Sequence, residues 1–394
     1  MDSKKSRELL SIVVVIIITT ITAIFISHQH IILSEGTQSS SISDLITNIS
    51  HIQGIENSTI LGVSGYLTPR EGDLIIHNGS WTMKSLHEKY PTVVELMAPA
   101  SVDDGYLAKE TIVVDKGAEL NITNDKVFLE SFSEKYNIPS RIIIMGKGTI
   151  FNSTITSWDP LLKAPDPNPY LPRSFILAKD GGKMNILNST ISNLGFSLGG
   201  INDIFSSIAG INYYNTSNFL VADSTIAYNF YGFYSDHATN FKITGNKIYG
   251  QTHYGLDPHT GSKDFIVDSN HISVNGGQGI ICSFQCENVT ITNNLVEHNV
   301  EGIGLHWLTN SSQVRDNVVR FNKNYGIFIK TDSFDNLVKN NTVIGNGEGI
   351  GLFEGSNNNS IISNIIAANY NKEHKEPIHM DDDSQSNSVS GNIS

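Results

Sequence analysis

From about residue 184 the apolar positions come in short runs that alternate with polar ones, the period of strands and not of helices. Each run opens on a glycine, at Gly232, Gly255, Gly279, Gly302, Gly326 and Gly349, in steps of 23, 24, 23, 24 and 23. A second series, Asn246, Asn270, Asn294, Asn317, Asn341 and Asn364, keeps the same beat, with steps of 24, 24, 23, 24 and 23. Two series in phase imply one coil per repeat. Short strands wound at 23–24 residues per coil predict an all-β, right-handed parallel β-helix, with the Asn series as an internal turn ladder.

Stacking converts sequence spacing into distance, because equivalent positions on successive coils lie about 4.8 Å apart. One residue after each glycine stand Phe233, Leu256, Ile280, Ile303, Ile327 and Ile350; three after stand Ser235, Pro258, Cys282, Leu305, Ile329 and Leu352. These two columns are expected to face inward. Two residues after come Tyr234, Asp257, Ile281, Gly304, Phe328 and Gly351; four after come Asp236, His259, Ser283, His306, Lys330 and Phe353. These are expected to face out.

The remainder of the chain divides by composition. Lys4, Lys5 and Arg7 precede an apolar run from Leu9 to Ile26, long enough to cross a bilayer with the basic flank inside. This predicts a transmembrane anchor over 1–27 and an extracytoplasmic β-helix, with a cleaved signal peptide as the rival; both export the chain. Residues 28–58 are Ser/Thr-rich without periodicity and read as a linker. Residues 59–140 read as an N-terminal β region capping the helix end, 141–370 as the β-helix catalytic domain, and 371–394 as a solvated C-terminal tail. That tail includes "EHKEPIHMDDD" at 373–383.

The formal net charge of −13 excludes the basic surface that nucleic acid requires, and an acidic polysaccharide would need a local basic site. Twelve N-x-S/T sequons, from Asn48 to Asn392, suit an exported surface. Cys282 and Cys286 read as structural thiols, too far apart to bridge if they share one flat strand. There is no spacing of the H-E-x-x-H or paired C-x-x-C kind, so no metal site is expected.

Chemistry concentrates on the outward stripe. An outward His on a single coil is ordinarily a solvated side chain. Here Asp236, His259, His306 and Lys330 share one column, Asp257 lies beside His259, and "YGLDPH" at 254–259 adds Tyr254. Phe284 and Trp307, one position further along, are able to stack on sugar rings. So many titratable groups in one stripe point to a site on carbohydrate.

"YGLDPH" closely resembles the signature of mannuronan C5-epimerases, right-handed β-helix enzymes that invert polymerised mannuronate to guluronate in alginate. "ITSWD" at 155–159, "NFYGFY" at 229–234 and "GGQGIICS" at 276–283 look like further coils of the periplasmic type, so the resemblance runs from about residue 140 to 366. It implies His259 as base, Tyr254 as the second proton-transfer group and Asp257 as a positioning or pKa-tuning partner. It also implies an acidic polysaccharide substrate, a monomer, and no required cofactor, with Ca2+ assisting some members. Two departures stand out: Phe284 occupies the place of an Arg thought to cover the substrate carboxylate, and Thr260 replaces an acidic residue. Lys330 and His306 are the expected substitutes, with Asp236, His237 and Lys263 beside them. A polyuronate lyase, which expels the 4-linked sugar after the same proton abstraction, and a non-catalytic glycan-binding β-helix are the alternatives.

Overall fold

The computed structural model describes residues 64–97, 104–131, 138–200, 207–370 and 376–394. The expected anchor and linker lie outside the described residues. Among the described residues, no helix is long and apolar enough to cross a membrane.

Each regular coil has three strands. In one coil these are Leu256–His259, Lys263–Asp268 and His271–Ser273. Each pairs in parallel, in register, with its counterparts on the coils before and after: Phe233 with Leu256, Ile303 with Ile327, Val319 with Val343. The column expected one residue after each glycine is buried to within 1 % of full coverage, and Leu305, Ile329 and Leu352 three residues after are equally covered. Burying an aliphatic side chain this completely contributes about 1.5–3 kcal/mol, before entropy is counted. Gly302 marks how close the coils approach, since a Cβ there would lie 2.2 Å from the Gly326 carbonyl oxygen.

The Asn ladder forms as expected and runs on to Asn392. Asn294 Nδ2 donates to Val267 O (2.9 Å), Thr292 O (2.9 Å) and Asn317 Oδ1 (3.0 Å), and its backbone N–H also donates to Asn317 Oδ1. A second ladder, Asn275, Asn299, Asn322, Asn346 and Asn369, repeats this at the next corner. A third joins Asn336, Asn359 and Asn387. These side chains satisfy the backbone groups that a turn leaves buried and unpaired.

The solenoid begins well before residue 141. Strand Leu74–Thr82 already pairs in parallel with Ile112–Thr123, and that strand with Arg141–Ile144. Helix Met83–Lys89, with Met83 and Leu86 fully buried, and the antiparallel pair Val94–Met97 and Gly105–Ala108 cover the start of the stack. The early coils are long: Ile142 pairs with Ile176 and Ile176 with Ile211, steps of 34 and 35, before Ile211 pairs with Phe233 after 22. The extra residues form the segment around 160–172 and a short hairpin, Phe196–Ser197 with Ser207–Ile208. Tyr66, Leu67, Phe196 and Ile208 pack over Val113, Ile143, Phe175 and Leu177, so the outer face is covered there.

The tail expectation fails for residues 376–394. Strands Ile378–Met380 and Ser388–Ser390 pair with Glu348–Phe353 and Ser360–Ile362 and make a further coil, because Asn387 and Asn392 continue two of the ladders. The flat-strand premise for the cysteines also fails. Phe284 and Gln285 both take left-handed backbone conformations (φ 57° and 67°), and the turn sets the buried Cys286 thiol against Ser283 O at 3.4 Å. Both remain free, and the Cys286 thiol donates to Pro258 O at 3.3 Å.

Candidate active site

Strand Leu256–His259 carries the centre of the site, with Tyr254 just before it. Asp257 points away from the main core, as expected, yet it is only 3 % exposed; Ile281 and Phe328, in the same column, are at 4 % and 5 %. Facing outward is therefore not being solvated, because side chains of neighbouring coils close over this column. Burial pushes the Asp257 carboxyl well above the ordinary carboxylate range, and its Oδ1 has no hydrogen-bond partner. Both facts favour the protonated form.

His259 ends the strand with Nδ1 2.7 Å from Thr260 Oγ1 and 3.3 Å from the Tyr234 hydroxyl. Its ring lies 4.6 Å from that of Phe284, and Phe284 lies 3.9 Å from Trp307. Burial, with a smaller contribution from His306, brings the imidazole down to about 3, so it is neutral near pH 7. Tyr254 stacks on Tyr231 (5.0 Å, 18°) and meets His253 edge-on (4.0 Å, 89°). Burial first, then Asp257 and Glu301, raise the Tyr254 phenol. Tyr254 precedes the strand by two residues, His259 ends it, and Asp257 lies within it.

The other expected residues divide. Asp236 pairs in register with His259, but its carboxylate is held by His237 Nδ1 at 2.5 Å, on a corner where His237 is half exposed. Lys263 opens the next strand beyond the Thr260–Ser262 turn and is exposed on the adjacent face. His306 stacks on Trp307 at 4.9 Å and is lowered to about 4, by burial and then by Lys330. Lys330 corrects the expectation most. Three coil steps, about 14 Å at Cα, separate it from His259, and its ammonium is engaged by Glu354 Oε1 at 3.1 Å. It is thus not placed to replace the missing Arg at the sugar facing His259.

Phe284 and Trp307 reach the groove from left-handed corner positions (φ 57° and 47°), a conformation costly for bulky residues. The corner offsets that cost by bonding coil to coil: Gln285 N–H donates to Trp307 O, and Trp307 N–H to Lys330 O. Sequence reasoning missed Tyr234, Glu301 and Glu354 as site members. The register was signal enough for Tyr234, one coil from Asp257 in the same column. No group of three or more His, Cys, Asp or Glu is arranged to hold a metal among the described residues.

Comparison with known proteins bears on the fold and on sequence similarity. A right-handed β-helix region matches residues 209–366, the stretch of regular coils. The mannuronan C5-epimerase of Pseudomonas aeruginosa is 27% identical over 241 residues, 56% of this chain and 41% of the relative. That of Azotobacter vinelandii, AlgG, is 26% identical over 208 residues, 49% and 38% of the two chains. The chain thus spans about two fifths of the length of the curated relatives it matches. Among solved structures, the periplasmic alginate epimerase AlgG superposes with a TM-score of 0.67 at 24% identity, covering 75% of this chain and 70% of that one. At that identity the superposition speaks for the fold. Fold, register and sequence together make this chain a homologue of the mannuronan C5-epimerases over its β-helical stretch.

Proposed function

We propose that the chain is a polysaccharide-modifying isomerase that inverts C5 of a polymer-linked uronate. The observation that carries this reading is a buried Asp257, with one carboxyl oxygen unbonded, between Tyr254 and a neutral His259 in a stretch homologous to epimerases.

The C5 proton of a uronate is weakly acidic, and its removal beside an ionised carboxylate would gather two negative charges. Asp257, held protonated by burial beneath the site, adds no negative charge beside the substrate carboxylate. His259 takes the proton, since an uncharged imidazole has a free lone pair. If Nδ1–H donates to Thr260 Oγ1, that lone pair is on Nε2. Tyr254 returns a proton to the other face. The raised phenol stays protonated and so remains an acid. These proton transfers use side chains alone, and no cofactor is invoked. The solved relative is described as periplasmic, which agrees with an exported catalytic domain here.

The test is proton NMR of polymannuronate incubated with the protein in deuterated water, with and without Ca2+. Deuterium at C5 with new guluronate signals is expected, and His259→Ala should remove both. Unsaturated chain ends would instead identify a lyase. No reaction on any of several polyuronates would favour a glycan-binding role and overturn the reading.

A further inference from the structure

Two to four coils beyond His259, toward the C-terminal end of the stack, the same outward face holds a cavity of about 430 Å3. A chain of rings joins the two places: His259 to Phe284, Phe284 to Trp307, Trp307 to His306 at the cavity's edge. Glu301, Glu354 and Asp381 line the cavity, and among the described residues Lys330 is the one Lys or Arg in its wall. Among the described residues the wall thus sets three carboxyl groups against one ammonium, with burial raising that of Glu301. His306, also in the wall, adds no charge near neutral pH because burial holds it at about 4.

Each of these carboxylates is fixed. Glu354 takes Lys330 Nζ on one oxygen and Thr331 Oγ1 on the other (2.5 Å). Asp381 accepts from the backbone N–H groups of Glu354 (2.6 Å) and Ser384 (3.0 Å). Glu301 accepts from Gln278 Nε2 at 2.5 Å. The lysine is therefore already neutralised, and what remains of the polar wall is negative. The apolar wall is made by Phe328, Phe353 and Tyr325, the last two edge to face at 5.1 Å. Flat rings beside carboxylates suit a pyranose, whose C–H face packs on the rings while its hydroxyls donate to the oxygens.

A homopolymer of uronate fits this badly. Its sugars advance along the stacked coils by steps comparable to the ~4.8 Å coil spacing. With one uronate at His259, a sugar two or three places along enters the cavity. A carboxylate there would face Glu301, Glu354 and Asp381, with Lys330, the cation among the described lining residues, already held by Glu354.

Resting on the epimerase reading above, we propose that this cavity is a subsite for a sugar without a carboxylate. The preferred substrate is then a heteropolysaccharide in which uronates are spaced by uncharged or amino sugars.

Binding calorimetry on the full chain tests this with three probes: a mannuronate hexamer, an alternating glucuronate–N-acetylglucosamine hexamer, and the same hexamer de-N-acetylated. At least tenfold tighter binding of the alternating hexamers is expected. A further gain on de-N-acetylation assigns an amino sugar, and no gain an uncharged one. Glu354→Gln and the triple change Glu301→Gln, Glu354→Gln, Asp381→Asn should raise affinity for the mannuronate hexamer by tenfold or more, with melting curves checking the fold. Raising the salt should narrow the preference in the wild-type chain, because the repulsion is screened. Equal or tighter binding of the mannuronate hexamer by the wild-type chain, or no binding of any hexamer, overturns the proposal. C5 deuteration is scored separately on each polymer, so failure of the epimerase reading is visible as missing exchange, whatever order the hexamers bind in.

Discussion

His259 meets the groove with its Nδ1 occupied by two hydroxyls, from Thr260 and Tyr234, and its ring packed against Phe284. Such a histidine titrates far from the ordinary value of about 6.5. Its folded value, about 3, lies below the unfolded one, so the unfolded chain binds the proton first on acidification. The neutral base is therefore present at all pH values above roughly 4, and the acid limb of kcat/KM is expected below pH 5. A limb near 6.5 would show that His259 is not the base, or is not buried in solution. The same sign governs stability. The contributions of His253, His259 and His306, all lowered by burial, are complete above about pH 6.5 and drain away as the pH falls toward 4. The raised Asp257 works in the opposite sense, favouring the fold at low pH. Tyr234→Phe should lower kcat by about 10- to 100-fold with little change in melting, since a misaligned base loses rate without loss of packing. Unchanged kcat in that variant would remove Tyr234 from the site.

At the scale of the element, the stack is held by its corners. Asn317 donates to Ile291 O, Arg315 O and Asn341 Oδ1, and accepts from Asn294 N–H and Nδ2. Asn317→Ala leaves several of these buried groups unpaired and is expected to destabilise by about 2–4 kcal/mol; a denaturation midpoint shift worth under about 1 kcal/mol would refute the ladder's energetic role. This ladder was legible in the sequence because its asparagines recur in phase with the glycines. The second ladder carried an equal signal, Asn275, Asn299, Asn322, Asn346 and Asn369 in steps of 24, 23, 24 and 23, and was open to the same reading. The early coils were not legible. Their insertions lengthen the step to 34 and 35, which hides the repeat although the strands still pair in register.

At the scale of the whole molecule, the coil formed by residues 376–394 covers the strands of the coil before it. Deleting residues 376–394 would unpair Glu348–Phe353 and Ser360–Ile362 and present open strand edges to solvent. Self-association on size-exclusion chromatography is the expected result, and a monodisperse truncated monomer would contradict it.

The sequence by itself determined the coil length, the inward columns, the Asn ladder and the stripe that holds Tyr254, Asp257 and His259, because in-register stacking makes a position's neighbours a matter of counting. Only the tertiary structure decided which outward side chains are covered and which charges meet. It buried Asp257 in a column that counting exposed, tied Lys330 to Glu354, and set an acidic cavity beside a site expected to be basic. The reason is physical. Periodicity fixes the backbone, whereas burial and electrostatics depend on the size and rotamer of side chains contributed by several coils and by the segments laid over them.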